Sequence, residues 1–307
     1  MKIYNSTKIP SGLGYDEVDY DAIYQSGYSA GYQTGYDDYI CPEPEPGYSA
    51  MPVTFKITSP GEIVFSKTNE KAPTIGLDVL LNGHRLHPEI PTYDWINVTT
   101  NRLTVEAGDV VCFTMAPSTY AVSGWTTNKE WATTFSGTTA GFELYGNLLS
   151  LAVHISVVRE RGFDTLDAAY KYGEFPFTDP VPPYFFAYVF RDCTGMTTAE
   201  NLIMPLDIAD SCYEGMFKGC TSLQKTPNLR APIELNGGCY YGMFSGCTNL
   251  SYVKCLATSR GTNTSTNNWL AGVSSSGTFV KSADMSEAAW TSGSWGIPYN
   301  WTVINDE

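Results

Sequence analysis

The sequence predicts a β-rich, multidomain chain: an N-terminal oligomerising or docking segment, a β-sandwich, and a short leucine-rich-repeat solenoid with a C-terminal cap. Three observations lead there. A 27-residue unit is written three times in the second half of the 307 residues. Apolar and polar residues alternate through much of the first half. Charged residues make up only 16% of the chain, against about 25% in an average globular domain. Polar duty falls on Ser, Thr, Asn, Gly and 21 Tyr, a mix unlike that of a helical bundle.

The repeat is explicit. Cys212-Tyr213-x-Gly215-Met216-Phe217-x-Gly219-Cys220-Thr221-x-Leu223 returns 27 residues later as Cys239-Tyr240-x-Gly242-Met243-Phe244-x-Gly246-Cys247-Thr248-x-Leu250. One unit earlier, Phe190, Cys193, Thr194, Asn201, Leu202 and Pro205 match Phe217, Cys220, Thr221, Asn228, Leu229 and Pro232. A fixed period in the twenties is that of a leucine-rich-repeat type solenoid. Such stacks expose long surfaces and mostly bind. Equivalent positions of a solenoid stack in columns, so Cys193, Cys220 and Cys247 fall in one column and Cys212 and Cys239 in another. A small apolar thiol suits a buried column. Met216, Phe217, Met243 and Phe244 share that structural role. The eight cysteines are therefore read mainly as packing positions; bridges are the alternative, and the Cys-x7-Cys spacing is not that of zinc.

Residues 1–40 form the N-terminal segment. Tyr20, Tyr24, Tyr28, Tyr32 and Tyr36 recur every fourth residue, and Gly27, Gly31 and Gly35 precede three of them. On a helix this makes a drifting tyrosine stripe beside a glycine stripe. Glycine disfavours a lone helix by about 1 kcal/mol per residue, but small residues let two backbones approach. The segment is read as an oligomerisation or docking element, with a tyrosine-rich tail of no fixed fold as the alternative. Residues 41–49, with Pro42, Pro44 and Pro46, are an extended linker.

From residue 50 to 147 the period becomes two. Val53–Ile57, Glu62–Phe65, Leu77–Leu81, Leu103–Val105 and Val110–Met115 read as strands. Asn82-Gly83 is a hairpin signal, Ala107-Gly108-Asp109 a turn, and Phe135 to Asn147 a further hairpin. Together they predict a β-sandwich. Residues 148–183 are taken as the solenoid's N-terminal cap, with a short helix in prospect. The repeats occupy 184–257. Residues 258–307 lose the pattern and are taken as the closing cap, since end repeats need an atypical outer face.

Composition also excludes. Net charge is −14 and pI about 4.6, which repels phosphate backbones and argues against nucleic acid. It argues equally against anionic membranes. No run of about 18 apolar residues exists for insertion. Met1 to Lys8 has no apolar h-region, so no export leader is read. His84-x-x-His87 lacks a third metal ligand nearby, and His154 is assigned to the cap. Asp19, Asp21, Asp37 and Asp38 lack EF-hand spacing. No Ser/His/Asp set and no phosphate loop can be assembled, so no enzyme activity and no cofactor are expected. The sequons at Asn97, Asn263 and Asn300 carry little weight without export. Among the seven tryptophans, Trp269 and Trp301 read as core, while Trp125 and Trp131 are the candidate ligand-facing aromatics.

The repeats resemble the BspA-type leucine-rich-repeat surface proteins of gut bacteria such as Bacteroides and of the bacteriophages that infect them, crAss-like phages included. Three further stretches carry the resemblance: Gly137-Thr138-Thr139-Ala140 through Tyr145-Gly146-Asn147-Leu148-Leu149-Ser150-Leu151; Tyr252 to Thr258; and Gly277-Thr278-Phe279-Val280-Lys281 with Gly296-Ile297-Pro298-x-x-Trp301-Thr302-Val303. It covers roughly residues 50–307. The first repeat departs from it, with Phe185 where the others have Cys212 and Cys239, and residues 1–47 lie outside it. The resemblance implies an adhesin-like protein. With no leader read, it points to a virion structural protein, a head or tail fibre or decoration protein. Its expected partners are itself as a homo-oligomer, capsid or tail proteins through residues 1–47, and host-surface or mucosal glycan or protein. A bacterial cell-surface adhesin is the alternative.

Overall fold

In a computed structural model of the chain, the described residues are 51–66, 77–86, 101–115, 133–151, 183–205, 209–229, 235, 237–259, 264–285 and 296–306. They are β-rich, and among the described residues the only helical element is the 3-10 turn Leu148–Leu151. The strands are β1 (Val53–Ser59), β2 (Gly61–Phe65), β3 (Leu77–Leu81), β4 (His84–Arg85), β5 (Asn101–Val105), β6 (Val110–Met115), β7 (Gly141–Asn147), β8 (Met196–Ile203), β9 (Lys225–Leu229), β10 (Tyr252–Cys255), β11 (Gly277–Lys281) and β12 (Trp301–Asn305). Ten of them make one sheet in the order β12-β11-β10-β9-β8-β7-β1-β6-β3-β4, and β2 pairs with β5 separately.

The first half obeys the period of two. In β1, Val53, Phe55 and Ile57 face the core, where Phe55 stacks on Phe142 at 4.2 Å and tilts against Phe113 at 5.1 Å. From β2 and β5, Ile63, Phe65, Leu103 and Val105 join the same core. Asn82 and Gly83 take φ of 51° and 82°, the two positive values that a two-residue hairpin turn requires. The Asn82 side-chain amide donates to Asp109 Oδ1 at 2.9 Å, and Asp109 Oδ2 accepts from the Glu106 N–H at 2.8 Å. One carboxylate thus ties two turns together.

The second half is a β-solenoid of about three turns. One wall is the parallel run β7 to β12. The other is a stack of ribbons, residues 183–192, 211–219, 238–246 and 264–272. Left-handed residues recur every fourth position: Tyr184, Tyr188 and Asp192, then Ser211, Gly215 and Gly219, then Gly238, Gly242 and Gly246, with Asn268 and Gly272 in the last ribbon. This rhythm lets alternate residues serve different partners. In the second ribbon, the N–H groups of Cys212, Glu214, Met216, Lys218 and Cys220 donate three residues back within the ribbon. Those of Ser211, Tyr213, Gly215, Phe217 and Gly219 donate to Gly237, Cys239, Tyr241, Met243 and Ser245 of the next. Buried backbone groups must be paired, and this ribbon pairs them without a helix or a regular strand.

Two aromatic columns fill the interior. Phe135, Phe190, Phe217 and Phe244 stack at 5.5, 5.5 and 5.4 Å. Phe186, Tyr213, Tyr240 and Trp269 stack at 6.1, 6.2 and 6.2 Å. β7 joins the halves, pairing antiparallel with β1 and parallel with β8. The sheet therefore runs past residues 147 and 257 without a break.

Three expectations are corrected. Phe135 to Asn147 is not a hairpin: only Gly141–Asn147 is a strand, and Phe135-Ser136-Gly137-Thr138 is a partial ribbon laid before the first. The Phe135 N–H donates to Val189 O, as that of Phe190 does to Met216 O. Residues 258–307 are more than a cap, because they supply a fourth ribbon and two parallel strands. Cys112 is disulfide-bonded, so it is no free packing thiol. Most of residues 148–183, with His154 and the stretch 167–172 where a short helix is expected, lies outside the described residues, as do His87, Asn97 and Asn263.

Candidate binding face

The repeat residues singled out from the sequence all point inward. Cys193, Cys212, Cys220, Cys239, Cys247, Met216, Phe217, Met243 and Phe244 are completely buried, and the five cysteines are free thiols. One column of sulfurs is hydrogen-bonded along its length. Cys193 Sγ donates to Phe135 O at 3.2 Å, Cys220 Sγ to Phe190 O at 3.0 Å, and Cys247 Sγ to Phe217 O at 3.0 Å. Burial pushes the Cys220 and Cys247 thiols well above their ordinary pKa. Burial likewise pushes Cys212 up, and carries Cys255 to about 12. A thiolate is the reactive form of cysteine, so these sulfurs are packing groups.

Trp269 and Trp301 are also interior. The Trp269 indole N–H donates to Gly296 O at 3.0 Å and that of Trp301 to Ser274 O at 2.9 Å. Trp125 and Trp131 lie outside the described residues. So do Tyr20, Tyr24, Tyr28, Tyr32, Tyr36, Gly27, Gly31, Gly35, the acids Asp19, Asp21, Asp37 and Asp38, and the linker 41–49.

What remains for recognition is the outside of the two walls. The strand wall carries exposed ion pairs, Lys225 with Glu200 at 2.9 Å and the partly covered Lys254 with Asp306 at 2.6 Å. Tyr145, donating to Glu143 at 2.8 Å, sits on the same wall; burial first and then that carboxylate push its phenol up to about 12. The ribbon wall is different. From its first rung, the Tyr188 ring and the Asp192 carboxylate lie over Gly215 and Gly219 of the second. Tyr188 donates its hydroxyl to Glu214 Oε1 at 2.6 Å, and the Arg191 guanidinium sits 5.8 Å from its ring centre. Burial and Glu214 raise the Tyr188 phenol pKa, so it is a donor across the physiological range. Arg191 pairs with Asp192 at 3.1 Å. One rung beyond Glu214 is Tyr241, 40% exposed.

Sequence reasoning missed this face. Its signal was the rhythm of Gly215, Gly219, Gly242 and Gly246, broken only by Tyr188 and Asp192 in the first repeat.

Among the described residues, no group of three or more His, Cys, Asp or Glu is placed to hold a metal. No helix among them is long and apolar enough to cross a membrane. No protein-family model matches the chain, and neither a curated protein nor a solved structure matches it significantly.

Proposed function

We propose that the chain is a non-enzymatic attachment protein of a bacteriophage virion, a head or tail fibre or decoration protein. One observation carries the reading. The ten-stranded sheet is continuous from β4 to β12, and its parallel part carries the stacked ribbons with their outer walls. Stacked repeat surfaces of this kind serve binding. In this reading the antiparallel half, with β2 and β5 over its core, is a small β-sandwich that carries the solenoid outward. Residues 1–47 dock on capsid or tail proteins and gather copies into a homo-oligomer. The solenoid meets glycan or protein on the host or mucosal surface. Several weak contacts per particle then add up through effective concentration. Immunogold electron microscopy with antibodies to residues 184–257 tests this: label on virions is expected, and bare particles would sink the proposal.

A second reading, a bacterial cell-surface adhesin, draws on the disulfide at Cys112, because disulfides persist mainly outside reducing cytosol. Fractionation of the source cells separates the two. Antigen in the envelope of uninfected cells supports the adhesin, and antigen only in phage particles supports the fibre.

A further inference from the structure

The antiparallel part of the sheet is covered on both faces. Val53, Phe55, Val79, Val111 and Phe113 turn to the main core. Their neighbours turn the other way, since successive strand residues alternate. The register lines up one row across five strands of that outer face. Arg85 is beside Leu80, Leu80 beside Cys112, Cys112 beside Thr54, and Thr54 beside Tyr145. An antiparallel sheet commonly leaves such a face to water. Here Cys112 and Thr54 are completely buried, Leu80 is 2% exposed and Tyr145 8%. Leu80 and Cys112 form an apolar cluster apart from the main core, and among the described residues the only hydrophobic packed against it is Val110. The Thr54 hydroxyl oxygen lies 3.3 Å from Cys112 Sγ. The row is sealed as if beneath a further layer of chain.

The cysteines say which segment that is. The sequence has eight. Cys193, Cys212, Cys220, Cys239, Cys247 and Cys255 are free thiols, and Cys112 is disulfide-bonded. One cysteine is left to bond it, Cys41. We propose that Cys41 and Cys112 form a disulfide, and that residues 41–50 are the strap that covers this face of β1, β6 and β3.

The lengths agree. Met51 stands three residues before Thr54, at most about 10 Å away, and Thr54 is about 5 Å from Cys112 opposite it. A disulfide sets its two Cα atoms about 6 Å apart. Cys41 then lies within about 21 Å of Met51 along this path, while ten residues of polyproline span about 31 Å. The segment reaches with slack and must bow over the face, and Pro46-Gly47 is a turn dipeptide that lets it. Closing the bond takes two electrons and two protons from the two thiols. A small disulfide such as oxidised glutathione accepts them by exchange and leaves as two thiols. A pull on residues 1–40 then passes through Cys41 to β6, inside the sheet, before it can peel β1. The inference does not depend on what the solenoid binds.

The test uses the full chain, equilibrated with oxidised glutathione, freed of it, and unfolded in urea with a maleimide. Six of the eight cysteines should be labelled, and all of them after reduction. Digestion without reductant should yield the Cys41 peptide joined to the Cys112 peptide. Full labelling without reduction overturns the inference, as does Cys112 joined to another cysteine or to a second chain. Cys41→Ser should free Cys112 for the label; if that variant does not fold, the wild-type peptide map decides. The cover has its own readout. In the reduced but folded chain the strap is held by packing alone, so Cys112 should label at least about tenfold faster than Cys220, deep in the stack. Equal rates would show that something other than residues 41–50 seals the face.

Discussion

The antiparallel half and the stacked half of this molecule bury apolar side chains by different rules. In the antiparallel half each strand alternates, as Val53, Phe55 and Ile57 do, and long-range pairing such as Phe55 opposite Leu144 fixes the register. In the stacked half a ribbon packs chiefly on its copies, and one residue type recurs along a column. The first arrangement tolerates varied sequence on its outer face. The second multiplies any change, because each ring, such as Phe217 between Phe190 and Phe244, touches a neighbour on both sides. The two cores meet where Phe55 lies 5.0 Å from Phe135, the first ring of the column. The contrast is therefore one of architecture, not of separate bodies.

The largest expected effect strikes the shared strand. Gly146 in β7 has φ of 95°, and a Cβ there would stand 1.8 Å from Pro52 O. Gly146→Ala should cost more than about 4 kcal/mol and lower both halves in one thermal transition. Two transitions, with only one shifted, would show that the halves unfold independently. Next comes the column. Phe217→Ala removes the ring between two stacked partners and should cost about 3–5 kcal/mol, read from the urea midpoint. A loss below about 1 kcal/mol would mean that the stack closes over the gap.

Alkaline pH should weaken the stack in particular. The Cys255 thiol is neutral in both states below its ordinary value of 9.0, so its contribution is then complete. Between 9.0 and about 12 the unfolded chain ionises first and stability falls. At pH 10 the loss is about 1 kcal/mol for such a thiol. Cys112, in the antiparallel half, is disulfide-bonded and does not titrate. Urea midpoints at pH 8 and pH 10 should show the drop, and a Cys255→Ala chain should show less of it. The smallest effect is Cys220→Thr, expected to cost under about 1 kcal/mol. Thr138 already holds the equivalent position before the first ribbon, with its hydroxyl donating to Phe135 O at 2.8 Å.

Much of this was legible in the sequence. Period two located the antiparallel strands, and the 27-residue period located the central ribbons. Two ribbons escaped for physical reasons. At Thr138 a hydroxyl replaces the thiol and bonds inside its own ribbon, to Phe135 O, where Cys247 reaches back to Phe217 O of the rung before, so Phe135-Ser136-Gly137-Thr138 does not announce its likeness to Phe244-Ser245-Gly246-Cys247. In the fourth ribbon Ser265 replaces the cysteine of Cys239, and its bonds close one residue early. Tyr240 donates to Ser265, 25 positions on, where Tyr213 donates to Cys239, 26 on. The cover that Tyr188 lays over Gly215 was hidden because a tyrosine in a left-handed conformation looks, in sequence, like any other tyrosine.

The hydrogen bonds between ribbons all run the same way. Phe186 donates to Cys212, Tyr213 to Cys239 and Tyr240 to Ser265, and none of these ribbon bonds returns. Peptide dipoles aligned in this fashion add, as they do along a helix. The ribbon stack therefore has an electrical sense, its partial positive end toward the last ribbon. Turned end for end, it would present a different charge to the same neighbour. A second solenoid could extend it only tip to base.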